Sequence, residues 1–396
     1  MNIIRSIFKS ILLGLPIIYS FIRIKTDPRF YIIVSIIFFI IILLYNIFKN
    51  KNFLSYCIQI GISFIFLDLI LHNIDHKQFL NAFGLIDLKI TLLIIGTIFI
   101  SLLLRAYKWK FLFPGHKELK VSSLFKTVIA GFMVNSILPA RAGEVYRAFF
   151  LHKLEKISKS KIMGTVVLER VFDGLVVGIG IIFILLLKII PDKMFYRVGF
   201  LGLGVYLFAI VTLVIFYFNK KFVMKIFKKV FFFLSKILMD KLIIMMDRFY
   251  EGFHIFKNLK NLIIFILYTV LVWLVICVTD YLFLYSMDIF TIFPMAISPV
   301  MFTLLLVCLL VLGVSIPSGP GAIGPFHASI FFAFYLVNPA FVKVNTYEYN
   351  VIASLSMYIW IFQIIIFVIS GVYVITREHI KLKVGADTIT SNGKQT

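Results

Sequence analysis

The residues best able to do chemistry stand in three short stretches of an otherwise apolar chain. In NSILPARAGEVYRAFFL, residues 135–151, Pro139 and Gly143 interrupt a hydrophobic run, and Arg141, Glu144 and Arg147 recur at three-residue steps. A helix restarting near Ala142 puts Glu144 and Arg147 on one face. It leaves Arg141 at or just before a helix N-terminus, where free N–H groups and the positive dipole end favour an anion. An arginine fork matches phosphate geometry, and a lipid phosphate is the anion a bilayer offers. The plainer alternative is an ordinary cytoplasmic loop with positive-inside arginines. In VVLERVFDGLVVGIG, residues 166–180, Glu169 and Asp173 share a helical face and Arg170 can reach Asp173. Charges inside a span cost several kcal/mol unless paired or facing a wet interior. Two compatible readings follow: a polar wall of a headgroup path, with Arg170 binding phosphate or pairing with Glu144, or an internal salt bridge that fixes packing. In SIPSGPGAIGPFHAS, residues 315–329, two prolines and three glycines fall between Pro317 and Gly324. Pro139 and Gly143 are four apart, as are Pro317 and Gly321. Interrupted segments at corresponding positions of two halves point to a transporter's central site.

Other polar residues carry weaker signals. Asp68 and Asp280 are lone acids in apolar spans; each reads as a proton site for coupled transport or, more simply, as a residue with a partner in a neighbouring helix or close to an interface. His72, Asp75 and His76 have helical spacing that metal sites use, but a solvated polar loop explains them better. His327 could gate by protonation; a buried, hydrogen-bonded histidine is the simpler reading. Lys221, Lys225, Lys228 and Lys229 lie on one face of an amphipathic stretch that reads as an interfacial helix on an anionic leaflet. Cys57, Cys277 and Cys308 are separate and sit in apolar runs, so they read as small buried hydrophobes rather than a disulfide or zinc site. No nucleotide loop, catalytic triad or CxxC pair is present, so neither ATP-driven chemistry nor a bound cofactor is expected.

The elements that must position these residues are membrane helices. The 396 residues are 61 % hydrophobic and 15 % charged, with a mean hydropathy of +1.04; soluble domains carry about 25 % charged residues. Several runs exceed the ~18 apolar residues needed to cross a bilayer, and none alternates as a barrel strand would. The expectation is an all-α polytopic helical bundle of about 8–10 spans, with two broken or re-entrant elements and a possible inverted repeat. Clear spans fall at 30–48, 53–71, 88–104, 162–187, 196–218, 261–287, 292–316 and 351–376; 7–22, 121–140 and 321–337 are less clear. Between Lys126 and Arg141 only residues 127–140 are available, and they reach roughly 21 Å against a core of ~30 Å. Pro139 also disfavours helix at Leu138. The stretch therefore reads as a half-helix that dips in and returns. The net charge of +22 is explained by positive-inside topology if 49–52, 105–120, 141–161, 219–260 and 377–396 share one side, and not by nucleic-acid binding. Residues 1–50 form a hydrophobic N-terminal extension, 51–376 the main transmembrane domain, and 377–396 a polar tail expected to be disordered.

LLLRAYKWKFLF at 102–113, together with the three stretches above in their order and spacing, resembles the lysylphosphatidylglycerol synthase transmembrane family, also called flippase-like or UPF0104-type membrane proteins. Asn135, Pro139, Arg141, Gly143, Glu144 and Arg147 match one motif; Glu169, Arg170 and Asp173 match the next; Pro317, Pro320, Gly321 and Gly324 match the last. This chain departs with Ala322 where many relatives have Gly and His327 where many have Glu. The resemblance implies movement of a phosphate-containing lipid or a polyprenyl-phosphate carrier across the cell membrane, with those thirteen residues around the substrate. After Ile375 there is no room for a catalytic fold, which would need at least ~100 residues, so no soluble synthetase domain and no synthase activity are expected here. The alternatives are an intramembrane headgroup transferase using Glu144 or Glu169 as base, and a non-catalytic partner of a separately encoded glycosyltransferase or aminoacyl-lipid synthetase.

Overall fold

The computed structural model describes residues 51–72, 74–113, 118–139, 141–187, 218–230 and 259–378, with isolated positions between 204 and 250. The spans expected at 7–22 and 30–48, most of 196–218, and the tail after Glu378 lie outside the described residues. Among the described residues the protein is an all-α bundle without strands. Its helices are α1 (Lys51–Leu71), α2 (His76–Ala82), α3 (Leu88–Lys110), α4 (Val121–Ile137), α5 (Ala142–Glu155) and α6 (Lys159–Leu186). They continue with α7 (Lys220–Val230), α8 (Leu259–Ser286), α9 (Ile289–Ile292), α10 (Pro299–Ser315), α11 (Pro325–Val337) and α12 (Tyr347–Arg377). Local chemistry sets many of the starts. Asp75, Asp87, Ser158, Ser298 and Thr346 accept hydrogen bonds from the first turns of α2, α3, α6, α10 and α12, satisfying donors that a helix cannot satisfy itself.

Leu88–Lys110, Leu259–Ser286 and Tyr347–Arg377 are long and apolar enough to cross a membrane; Pro320–Val337 has the length and composition as well, but its backbone is broken at Gly321 and Gly324, so only Pro325–Val337 is continuous α-helix. Large apolar side chains such as Leu92, Leu274 and Ile369 stand exposed along three of these helices. In water such surfaces would drive association; in lipid they are the solvated face. Helices α3 and α8 run antiparallel: Asp87 N–H donates to the Ser286 carbonyl (2.9 Å), while Tyr107 and Phe111 pack on Tyr268 near the other end.

Two helical hairpins lie between these spans. In the first, α4 and α5 pack so closely that a Cβ at Gly143 would strike the Gly131 carbonyl oxygen. Their break is set by Pro139: Leu138 is extended (φ −106°, ψ 144°), because the proline ring crowds a helical conformation at the residue before it. The second hairpin joins α10 to α11 through a break at 316–324. Gly313 is its contact point, since a Cβ there would strike the Ser329 hydroxyl. The first hairpin opens toward the end of the bundle where the Lys126–Glu378 pair (2.6 Å) ties α4 to α12. The second opens toward the opposite end, where the Thr91 and Tyr358 hydroxyls meet (2.8 Å) and the Asn350 side-chain oxygen accepts from Asp75 N–H (2.9 Å). The hairpins thus enter from opposite ends, and Arg141 Nη2 at the tip of the first donates to Ser315 Oγ at the end of α10 (3.4 Å).

Candidate functional site

Behind that meeting point lies a buried charge cluster built from α3, α5 and α6. The i, i+4 spacing on α6 points Glu169 and Asp173 the same way, and both are buried. Lys108 Nζ sits 2.7 Å from Asp173 Oδ1 and 3.5 Å from Glu169 Oε1. Arg105, one turn earlier on α3, is 3.4 Å from Asp173 Oδ2 and 3.8 Å from Glu169 Oε1. Arg147 donates to Glu169 Oε2 (2.8 Å), and its guanidinium carbon stands 4.0 Å from the centre of the Trp109 ring, a cation–π geometry. Gly131 makes this possible, because a Cβ there would meet the Arg147 stem at 2.6 Å. Trp109 Nε1 is in turn fixed by Thr165 (3.0 Å), and Trp273 Nε1 reaches Asp173 (3.4 Å).

Nearer the break, Arg170 Nε lies 3.1 Å from Glu144 Oε1. That nitrogen makes no aligned hydrogen bond, so the contact is an ion pair by proximity. Arg170 also stands 3.8 Å from Asp173, and Arg141 3.8 Å from Glu144. Arg141 caps α5 from the left-handed region (φ 53°, ψ 38°) without a side-chain cap bond. The cluster therefore combines Arg105, Lys108, Arg141, Arg147 and Arg170 with Glu144, Glu169 and Asp173, an excess of two positive charges. Arg105, Lys108 and Arg147 are buried, whereas Arg141 and Arg170 keep 38 % and 33 % of their side chains exposed, so the surplus charge lies toward the open side of the cluster.

The cluster opens on a cavity of about 850 Å³ whose wall includes Arg105, Arg141, Arg170, Asp173, Asp280 and Ser315 amid mostly apolar side chains. The thirteen residues expected from the sequence separate into distinct roles. Arg141, Arg170 and Asp173 face the cavity. Glu144, Arg147 and Glu169 stand behind them as counterions and stack partners. Asn135 and Gly143 hold the first hairpin together, the Asn135 side-chain oxygen accepting from Gly143 N–H (2.7 Å); Pro139 shapes its turn. Pro317, Pro320, Gly321 and Gly324 do not line the cavity. They form the second turn, where Gly321 and Gly324 take positive φ (61° and 92°). There Gly319 N–H donates to Ser63 Oγ (2.7 Å) and Trp360 Nε1 donates to the Gly321 carbonyl (2.8 Å).

Arg105 and Lys108 are the cluster members that the sequence pattern assigns to a loop. The apolar run ends at 104, which sets them among the positive-inside charges, but α3 continues to Lys110 and both are buried. Their three-residue spacing beside Trp109, in the stretch 102–113, is the signal that could have found them. His327 is buried with Nδ1 3.1 Å from Ser356 Oγ, and Asp75 caps α2, accepting from the Lys77 and Gln78 N–H groups.

Long apolar helices and two broken hairpins that meet at a charged cavity define an all-α, polytopic membrane protein. The family described as lysylphosphatidylglycerol synthase TM region matches residues 56–342, and the chain belongs to that family. It is 27 % identical over 213 residues to the UPF0104 membrane protein MJ1595 of Methanocaldococcus jannaschii, covering 50 % of this chain and 62 % of that protein. It is 40 % identical over 84 residues to MJ1078 of the same organism, also a UPF0104 membrane protein, covering 20 % of this chain and 35 % of that one. The matched region spans less than two thirds of the length of either relative. No solved structure matches the chain.

Proposed function

We propose that this chain is a translocase that moves a phosphate-bearing lipid, a phospholipid or a polyprenyl phosphate, between the leaflets of the cell membrane. The observation that carries this reading is the excess of two positive charges in a partly buried cluster whose Arg105, Arg141 and Arg170 front a cavity of about 850 Å³. The phosphate would sit against these three guanidinium groups while the acyl or prenyl tails stay in the bilayer. Hairpins entering from opposite ends give each leaflet a symmetric approach to one site. The carboxylates are engaged as counterions: Glu169 is fully buried among Arg147, Lys108 and Arg105, which suits a support for arginines and not a base acting on lipid. A separately encoded lipid-modifying enzyme is the natural partner, making or consuming the lipid that is moved.

The test is movement of fluorescent phosphatidylglycerol and of polyprenyl phosphate in proteoliposomes, scored by quenching of the outer leaflet. The purified chain should equilibrate at least one of them. Arg141→Ala and Arg170→Ala should slow the movement by about tenfold or more, since a charge-assisted hydrogen bond is worth ~1.5–3 kcal/mol. A protein that moves neither lipid, or variants as fast as the parent chain, would refute the reading.

A further inference from the structure

One ionisable group in the cavity wall stands outside the charge cluster. Asp280 of α8 lines the cavity opposite no basic partner: it is 5 % exposed, its Oδ1 is buried without a hydrogen-bond partner, and among the described residues it makes no ion pair. The elements packed on α8 are α3, α6, α9, α10 and α12. Helix α3 presents Arg105 and Lys108, both paired with Glu169 and Asp173. Helix α6 presents Asp173 and Arg170, which pair with these cations and with Glu144. Helix α9 carries no titratable residue, with Asp288 as its cap; α10 presents Cys308; α12 presents Tyr358 and Gln363; and α8 itself adds Cys277.

We propose that Asp280 is a proton-binding site within this cavity, and that a proton and an anionic lipid headgroup bind there together. This rests on the cavity being the anion site proposed above. An ionised Asp280 puts a negative charge, with an oxygen that nothing satisfies, into the wall of the space the phosphate must enter. Such a desolvated, unpaired charge is costly, and it repels the phosphate. A proton removes both penalties and converts the carboxylate into a neutral group able to donate a hydrogen bond. By linkage, whatever the proton adds to anion affinity the anion adds to proton affinity. Binding therefore tightens as pH falls, and each lipid carried inward or outward takes a proton with it.

The measurement is binding of short-chain phosphatidylglycerol to the purified full chain in a zwitterionic detergent, read by tryptophan fluorescence because Trp273 lines the cavity. The phosphodiester carries one fixed charge between about pH 5 and 8, the window in which an ordinary histidine changes charge. The parent chain should bind more tightly at the acid end, on the order of tenfold, within the usual range of coupling between two sites. Asp280→Asn should bind tightly and equally at both ends, while His327→Gln should keep the parent's pH dependence. Calorimetry in two buffers of different ionisation enthalpy should show proton uptake on lipid binding by the unmodified chain, which keeps the test independent of how any variant folds. Phosphatidylglycerol binding without pH dependence or proton uptake, or a dependence kept in Asp280→Asn but lost in His327→Gln, would overturn the proton site and leave the anion site standing. No binding at any pH would overturn the anion site beneath it.

Discussion

Glu169 shows how a charge survives at membrane depth. It is completely buried, yet Arg147, Lys108 and Arg105 lie within 3.8 Å of it. Removing one side of a buried pair leaves the other uncompensated, at a cost of about 3–5 kcal/mol. Glu169→Gln should therefore lower the thermal unfolding temperature of the detergent-solubilised protein sharply, and a fluorescence melting curve would show it. Arg141 makes the opposite case. It holds a left-handed backbone that costs a residue with a Cβ about 1 kcal/mol, and its contacts to Ser315 and Glu144 are long, at 3.4 and 3.8 Å. Arg141→Gly should thus raise the melting temperature while lowering phosphatidylglycerol transport. A variant that lost both stability and transport would show that Arg141 is structural. The pairs within one helix or one turn, such as Arg170 with Asp173, were legible in the sequence because spacing alone sets them. Arg105 and Lys108 were not, because their three-residue spacing beside Trp109 fits cations at a span's end as well as cations turned inward; the approach of α6 to α3 decides between the two.

At the scale of elements, the first hairpin depends on two glycines with unequal constraints. A Cβ at Gly143 would run into backbone and into the Asn135 side chain at 2.6 Å, atoms that cannot move without separating the helices. A Cβ at Gly131 would mainly meet the Arg147 stem, at 2.6 and 2.9 Å, which has rotamers to spare. Overpacking a tight contact costs about 1–3 kcal/mol. Gly143→Ala should be the more destabilising of the two in melting experiments, while Gly131→Ala should act on transport by displacing Arg147 from Trp109. Equal melting losses would mean that the hairpin relaxes as a unit. The break itself was legible, since proline constrains its neighbour wherever the chain goes. The closeness of α4 to α5 was not, because glycine in a span is as compatible with a lipid-facing notch as with a helix contact. The second break was legible as a turn, but its attachment to Ser63 and Trp360 joins residues 256 and 39 positions apart, beyond any local pattern.

Among the described residues one end of the bundle is rich in cations and the other poor in them, and the two hairpins decide how the chain is threaded between them. Helix α4 is 17 residues long, roughly 25 Å, and α11 is 13 residues, roughly 20 Å; neither alone spans a ~30 Å core. If each hairpin returns to the side it entered from, then Lys120 and Lys159 flank the first hairpin on one face of the membrane, and Lys343 lies beyond the second hairpin on the other. The Lys126–Glu378 pair places the end of α12 on the first face, so Lys120, Lys126, Lys153, Lys156, Lys159, Lys161 and Arg377 share one side, as the positive-inside rule requires. Single-cysteine variants at these three lysines, in a chain with its native cysteines replaced by serine, test this with a membrane-impermeant maleimide. Lys343→Cys should label in intact cells, whereas Lys120→Cys and Lys159→Cys should label only after permeabilisation. Labelling of Lys120→Cys and Lys159→Cys from opposite faces would mean that α4 crosses the bilayer. Arg141 would then lie at a surface, and the cavity would lose its place midway between the leaflets. Agreement of those two sites on one face is thus the physical condition for a single anion site reachable from both sides.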